Sequence, residues 1–213
     1  MLTKATVKGL VVVEEAPIAN HYHEGKVFNS VTVLSYRGDK NSKVDHLRLY
    51  FEQGKFDTAL FTVGNYIKYT GDLVKSKITE SLSDIAVSLE TVAIVTPEEL
   101  KENEELNLHL ATGSVLDMTG TIIKISPETV SKDITSISIL VMTENADGRR
   151  VIAKLTGVGR MAEIIKTLNK DDAVNVYAKV FSYPTKNRTD GASYYLHDSR
   201  IASIIKVSGE VND

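Results

Sequence analysis

"AKLTGVGRMAEIIKTLNKDDAVNVYAKV", residues 153–180, sets one short helix between two strands. Met161, Ile164, Ile165 and Leu168 fall at i, i+3, i+4 and i+7, an apolar stripe about two turns long. Past the break at Asn169-Lys170-Asp171, Val174, Val176, Ala178 and Val180 alternate with Asn175, Tyr177 and Lys179, as in a half-buried strand. A helix this short cannot form half of a bundle. It can plug the open end of a small barrel.

The same order of elements occurs twice. "VKGLVVVEEAP" (7–17) resembles "MTGTIIKISPE" (118–128), with Gly9 opposite Gly120. "NSVTVLSYR" (29–37) matches "TSISILVMT" (135–143), with Val31 and Val33 opposite Ile137 and Ile139. "HLRLYF" (46–51) matches "KLTGVG" (154–159), with Leu47 opposite Leu155, and "KFDTALF" (55–61) lies over the short helix. "YIKYTGDL" (66–73) overlays "AVNVYAKV" (173–180), with Ile67 opposite Val174, and "LETVAIV" (89–95) answers "DSRIASI" (198–204), with Val92 opposite Ile201. Each unit reads strand, strand, strand, short helix, strand, strand. That is the order of the five-stranded OB barrel, whose helix caps the barrel bottom. The expected fold is all-β with short helices: two tandem five-stranded OB-fold barrels, residues 1–96 and 113–207, each closing its own sheet, with 208–213 as a short tail.

The segment between them, 97–112, is the most acidic part of the chain. "PEELKENEELNLHL" (97–110) holds one lysine against five glutamates, whereas residues 1–96 balance at 11 basic and 11 acidic and residues 111–213 hold 13 against 12. Thr96, Pro97 and Glu99 form a capping-box helix start. The segment reads as a solvated helical linker, with docking of a basic partner as the alternative. The net charge of −3 thus neither supports nor excludes a polyanion partner, because only a local face could bind one.

Composition narrows the classes. The 213 residues suffice for two domains of roughly 100 residues, and 42% hydrophobic with 25% charged content is that of an ordinary globular chain. No apolar run approaches the roughly 18 residues of a membrane span, and the N-terminus lacks the apolar core of a signal peptide. With no cysteine there is neither a disulfide framework nor a thiolate metal site. A cytoplasmic protein without membrane, cofactor or small-molecule substrate is expected.

The second unit resembles the bacterial single-stranded DNA-binding protein family. An opening strand with Gly ("TGTIIKISPE") leads to a strand like "ITSISILV", then to "RRVIAKLTGVGRMAEIIKTLNKDDAVNVYAKV" with Ala162-Glu163 in the helix. The resemblance covers 113–207 well and 3–96 more loosely, and a tandem two-barrel chain is similar to phage, plasmid or mobile-element relatives. It implies a sequence-nonspecific partner of single-stranded DNA, or RNA, in replication, recombination or repair. Because relatives bring four barrels together, it also implies a homodimer.

The binding face can be read from strand alternation. With Val31, Val33, Leu47, Leu49 and Phe51 inside, Thr32, Leu34, Tyr36, His46, Arg48 and Tyr50 face out. With Val151, Ala153 and Leu155 inside, Arg150, Ile152 and Lys154 face out. The hairpin "SYPTKNRTDGASYY" (182–195) adds Tyr183, Lys186, Arg188 and Tyr194. Single-strand binding needs cations along the phosphates and flat rings for unstacked bases. Tyr36, Arg48, Tyr50, Arg150, Lys154, Tyr183, Lys186, Arg188 and Tyr194 supply both, and with no tryptophan in the chain the rings are tyrosines.

Enzyme chemistry finds little foothold. "HYH" (21–23) could chelate a metal, but His46, His109 and His197 lie far off in sequence, so no metal site is expected. "GVGR" (157–160) lacks the Lys-Ser/Thr of a P-loop and reads as helix entry. The other class left open is a structural or protein-docking OB module, such as a phage assembly component, because fold alone does not decide function.

Overall fold

The computed structural model describes residues 4–36, 44–78, 83–144, 148–186 and 193–207. The first half runs β1 (Lys4–His23), β2 (Lys26–Tyr36), β3 (Val44–Glu52), a 3-10 turn (Thr58–Phe61), β4 (Tyr66–Ile78) and β5 (Ser83–Val95). Two helices follow, α1 (Pro97–Glu102) and α2 (Glu104–Thr112). The second half runs β6 (Val115–Ile125), β7 (Thr129–Ser131), β8 (Ile134–Glu144), β9 (Arg150–Val158), α3 (Arg160–Ile165), β10 (Ala173–Lys186) and β11 (Ser193–Lys206). No helix among the described residues is long and apolar enough to cross a membrane.

Each half closes on itself. Strands pair in the ring β1-β2-β3-β5-β4-β1 and again in β6-β8-β9-β11-β10-β6, with β3–β5 and β9–β11 parallel and the other ring contacts antiparallel. These are the two five-stranded OB barrels; β7 adds a small hairpin on β8. Alternation works as the sequence indicates: Val31, Val33, Leu47, Leu49 and Phe51 fill one barrel and Val151, Ala153 and Leu155 the other. The barrel end between the third and fourth ring strands is closed differently in the two halves. In the second, Ile165 and Ala162 of α3 are buried, and Gly157 lets the helix approach, since a Cβ there would lie 2.4 Å from the Ile165 side chain. In the first, one 3-10 turn buries Phe61, which stacks on Phe51 at 4.7 Å and meets Phe56 edge-on.

The expectation of two separate sheets is corrected. One edge of β1 is shared out: residues 4–8 pair with β6 and residues 12–23 with β2, so the barrels form one hydrogen-bonded network. The pairing is two-fold in character. The spacing that carries Gly9 onto Gly120 carries Thr6 onto Asp117, and those two residues face each other, flanked by Lys4 with Thr119 and Lys8 with Val115. The β5–β11 contact of Ser83 with His197 joins a second matched pair, fixed by the parallel registers of β3–β5 and β9–β11. The chain folds as a covalent pseudo-dimer about an axis through these two contacts.

The registers also correct the repeat in its last two strands. Gly9 pairs with Tyr69 and Gly120 with Val174, so Val174 corresponds to Tyr69, not Ile67. Arg48 pairs with Ala86 and Thr156 with Arg200, so Ile201 corresponds to Val87, not Val92. Strand alternation repeats every two residues and cannot detect a slip of two, and unequal bulges in the β4–β5 and β10–β11 hairpins alter the count further.

The connector is no solvated linker. The Thr96–Glu99 capping box forms, with Thr96 N donating to Glu99 and Glu99 N to Thr96 Oγ1. Leu100 and Leu110 then bury against Leu10 and Val95, with Tyr36 and Tyr66 alongside.

Candidate nucleic-acid interface

Each barrel sends its fourth-to-fifth-strand hairpin onto the other. The β10–β11 hairpin meets β3, and the β4–β5 hairpin meets β9 and β11. At the first contact His46 N donates to Ser182 Oγ (2.7 Å) and Ser182 N to Asp45 Oδ1. His197, 3% exposed, reaches across the same seam: Ile85 N donates to its Nδ1 (3.2 Å) and its Nε2 donates to the His46 carbonyl (3.0 Å). A backbone N–H only donates and a carbonyl only accepts, so these partners fix the neutral imidazole with its proton on Nε2. The His46 ring lies flat on Tyr195, centroids 3.9 Å apart and planes 11° apart, with its Nδ1 2.8 Å from Glu14 Oε2. Two histidines far apart in sequence thus meet at one junction. His109 sits on α2 beside Glu105, and the side chains of His21 and His23 lie outside the described residues.

A cleft of about 100 Å³ opens at this seam, lined by Thr32, Arg48 and Tyr50 of the first barrel, Tyr195 and His197 of the second, and the His46–Tyr195 stack. Arg48 is exposed and Tyr50 half-buried, so a cation and several rings from both barrels converge. Two carboxylates stand close by and both are engaged: Glu14 with His46, Glu15 accepting from Thr32 Oγ1 at 2.6 Å. Burial, then Glu14 and Glu15, hold the Tyr195 phenol above its ordinary range.

The other sequence-derived candidates are scattered. Tyr36 lies on the same outward side of its sheet as Arg48 but packs under the helices with Leu10 and Val95. Arg150 is exposed at the start of β9, 4.0 Å from Glu144. Lys154 points out of its barrel as alternation requires but is only 8% exposed. The reason is positional: Lys154 matches His46 in the repeat, and β4 lies against β9 as β10 lies against β3. Burial depresses its ammonium below the usual lysine range and Asp198 partly opposes this. Lys154 is therefore no solvent-facing cation. Tyr183 is half-buried, and the side chains of Lys186 and Tyr194, with all of Arg188, lie outside the described residues.

Sequence reasoning missed Arg200. It stands on the outer face of β11, its Nε donating to Asp198 Oδ2 (2.9 Å) and an Nη to the Tyr183 hydroxyl (2.8 Å), with the guanidinium 5.0 Å from the Phe181 ring centre. Alternation within "DSRIASI" would have turned it outward, but only the register of β9 beside β11 shows which row it occupies. Among the described residues no group of three His, Cys, Asp or Glu could hold a metal ion.

Fold and face together define a two-barrel OB protein. Among solved structures the chain is similar to the wild-type single-stranded DNA binding protein from Thermus aquaticus, with TM-score 0.68 at 10% identity, over 100% of this chain and 96% of that one. A deletion mutant of the same protein gives 0.65 at 11% identity, over 98% and 96%. PriB from Ralstonia solanacearum aligns with 44% of this chain at 11% identity and TM-score 0.33, over 97% of its own length, too low a score to bear on the fold. No protein-family model matches the sequence, and no curated protein sequence matches it.

Proposed function

We propose that this protein binds single-stranded DNA, without base-sequence preference, in replication, recombination or repair. The observation that carries the reading is the seam cleft, where Arg48 meets Tyr50 and the His46–Tyr195 stack on adjoining faces of two barrels. A guanidinium neutralises phosphate whatever the base, and every base has a flat face to stack, so this chemistry tolerates any sequence. Likeness of fold along the whole chain to a single-stranded DNA binding protein supports the same reading. Titration of fluorescent oligo-dT at two salt concentrations, beside oligo-rU and a duplex of equal length, tests it. Single strands should bind with affinity that falls steeply as salt rises. No binding of a 40-mer oligo-dT at low salt would refute it.

The docking-module reading has one observation in its favour: Glu14 and Glu15 border the cleft and oppose a phosphate. It takes over if oligo-dT fails to bind. Residues 1–96 and 113–207 serve as the two binding domains in this proposal, and a homodimer brings four barrels together. Light scattering at micromolar concentration checks the assembly, and a monomer mass removes that part.

A further inference from the structure

The pseudo-two-fold axis allows the outer faces of the two barrels to be compared row by row. On the first, Arg48 of β3 lies in register with Ala86 of β5; on the second, Thr156 of β9 lies in register with Arg200 of β11. Arg48 and Thr156 correspond in the repeat, as do Ala86 and Arg200. The same row therefore carries one arginine in each barrel, supplied by the third ring strand in one and by the fifth in the other. Neighbouring outward positions keep no such identity: His46 answers Lys154, and Tyr50 answers Val158. We infer that Arg48 and Arg200 are the matched phosphate contacts of the two barrels, one for each face of a bound single strand. This rests on the nucleic-acid reading above.

The chemistry agrees. Both arginines are exposed, and Asp198 and Tyr183 hold Nε and one Nη of Arg200, fixing the plane of its guanidinium while its side chain stays 48% exposed. A guanidinium held this way loses less freedom on meeting a phosphate than a free lysine would. Phosphate contact also suits the symmetry. A strand crossing a two-fold axis meets the second face with its polarity reversed, so base-edge contacts cannot repeat there, whereas a phosphate contact can. A row that keeps its arginine while changing the strand that bears it requires charge at a place, not a particular backbone position.

Fluorescent 40-mer oligo-dT is titrated at several salt concentrations against the full chain and its variants. R48A and R200A should each weaken binding several-fold and flatten the slope of log affinity on log salt by about 0.7, the loss of one phosphate contact on a single strand. R200Q, which keeps an amide donor for Tyr183, should behave as R200A does, and K101A on α1 should leave the slope unchanged. The relocations R48A/A86R and R200A/T156R, which exchange the two barrels' arrangements, should restore slope and affinity. Wild-type protein that does not bind overturns the functional reading and the inference with it. Wild-type binding with an unchanged slope in R48A, R200A and R200Q overturns the inference alone. Relocated arginines that fail to restore binding to a folded variant also overturn it, because contacts particular to one strand would then carry the effect.

Discussion

At the scale of single residues the seam depends on His197. Its imidazole takes one hydrogen bond from Ile85 and gives one to His46, both in the other barrel. Replacing it with alanine leaves a buried N–H and a carbonyl short of these partners, at a cost of about 1–3 kcal/mol each. Urea unfolding of His197→Ala should show a midpoint well below wild type, and an unchanged midpoint would mean the seam does not need this bridge. Tyr69 gives a pH prediction. Its ring is fully buried, and burial pushes the phenol well above the ordinary tyrosine range, against the opposing effect of its hydrogen bond to Ser114 (2.9 Å). A folded value raised above the unfolded one gives stability that is complete below about pH 10 and lost as pH rises beyond it. Tyr69→Phe should cost about 1 kcal/mol at neutral pH and lessen the alkaline loss. Some loss should persist, because Tyr177 and Tyr195 are also held above their usual range by burial. Inward residues such as Leu49 and Leu155 were legible from alternation. Lys154 was not, because alternation tells which side of a strand a residue occupies and nothing about what covers that side.

Among elements, the two barrel ends show how different sequences serve one geometry. "GVGRMAEIIKTL" forms α3 and fills its barrel with aliphatic side chains, whereas "KFDTALF" forms a single 3-10 turn and compensates with a large ring. Phe61 is fully buried between Phe51 and Phe56, so Phe61→Ala opens a cavity that one turn cannot collapse to fill. The expected loss is about 3–5 kcal/mol in chemical denaturation; a loss under about 1 kcal/mol would show that the turn is dispensable. The capping box of α1 was readable because its chemistry is local. The burial of Leu100 and Leu110 was not, because the glutamates around them dominate the segment and the face they cover belongs to β1 and β5. The slip in the last two strands has a similar origin: hairpin length and bulges set the register, and neither leaves a mark in the apolar pattern.

At the scale of the whole molecule, the charges along the shared edge favour pairing of the two halves with each other over pairing of either with its own copy. Along the shared edge Lys4 meets Thr119, Thr6 meets Asp117 and Lys8 meets Val115, and Lys8 Nζ lies 3.9 Å from Asp117 Oδ2. A copy of β1 paired with itself in this geometry would set Lys4 against Lys8 twice. A copy of β6 would set Asp117 against Asp117. Like charges directly opposite destabilise an antiparallel pair, so both self-pairings are penalised while the mixed one is not. Residues 1–112 and 113–213 produced as separate chains should therefore associate more strongly when mixed than either does with itself, as measured by light scattering at low salt. Asp117→Thr should remove the clash in the second chain, allowing it to pair with itself. The charge argument fails if either unmodified half self-associates as strongly as the mixture, and the shared edge would then owe its choice of partner to the covalent link alone.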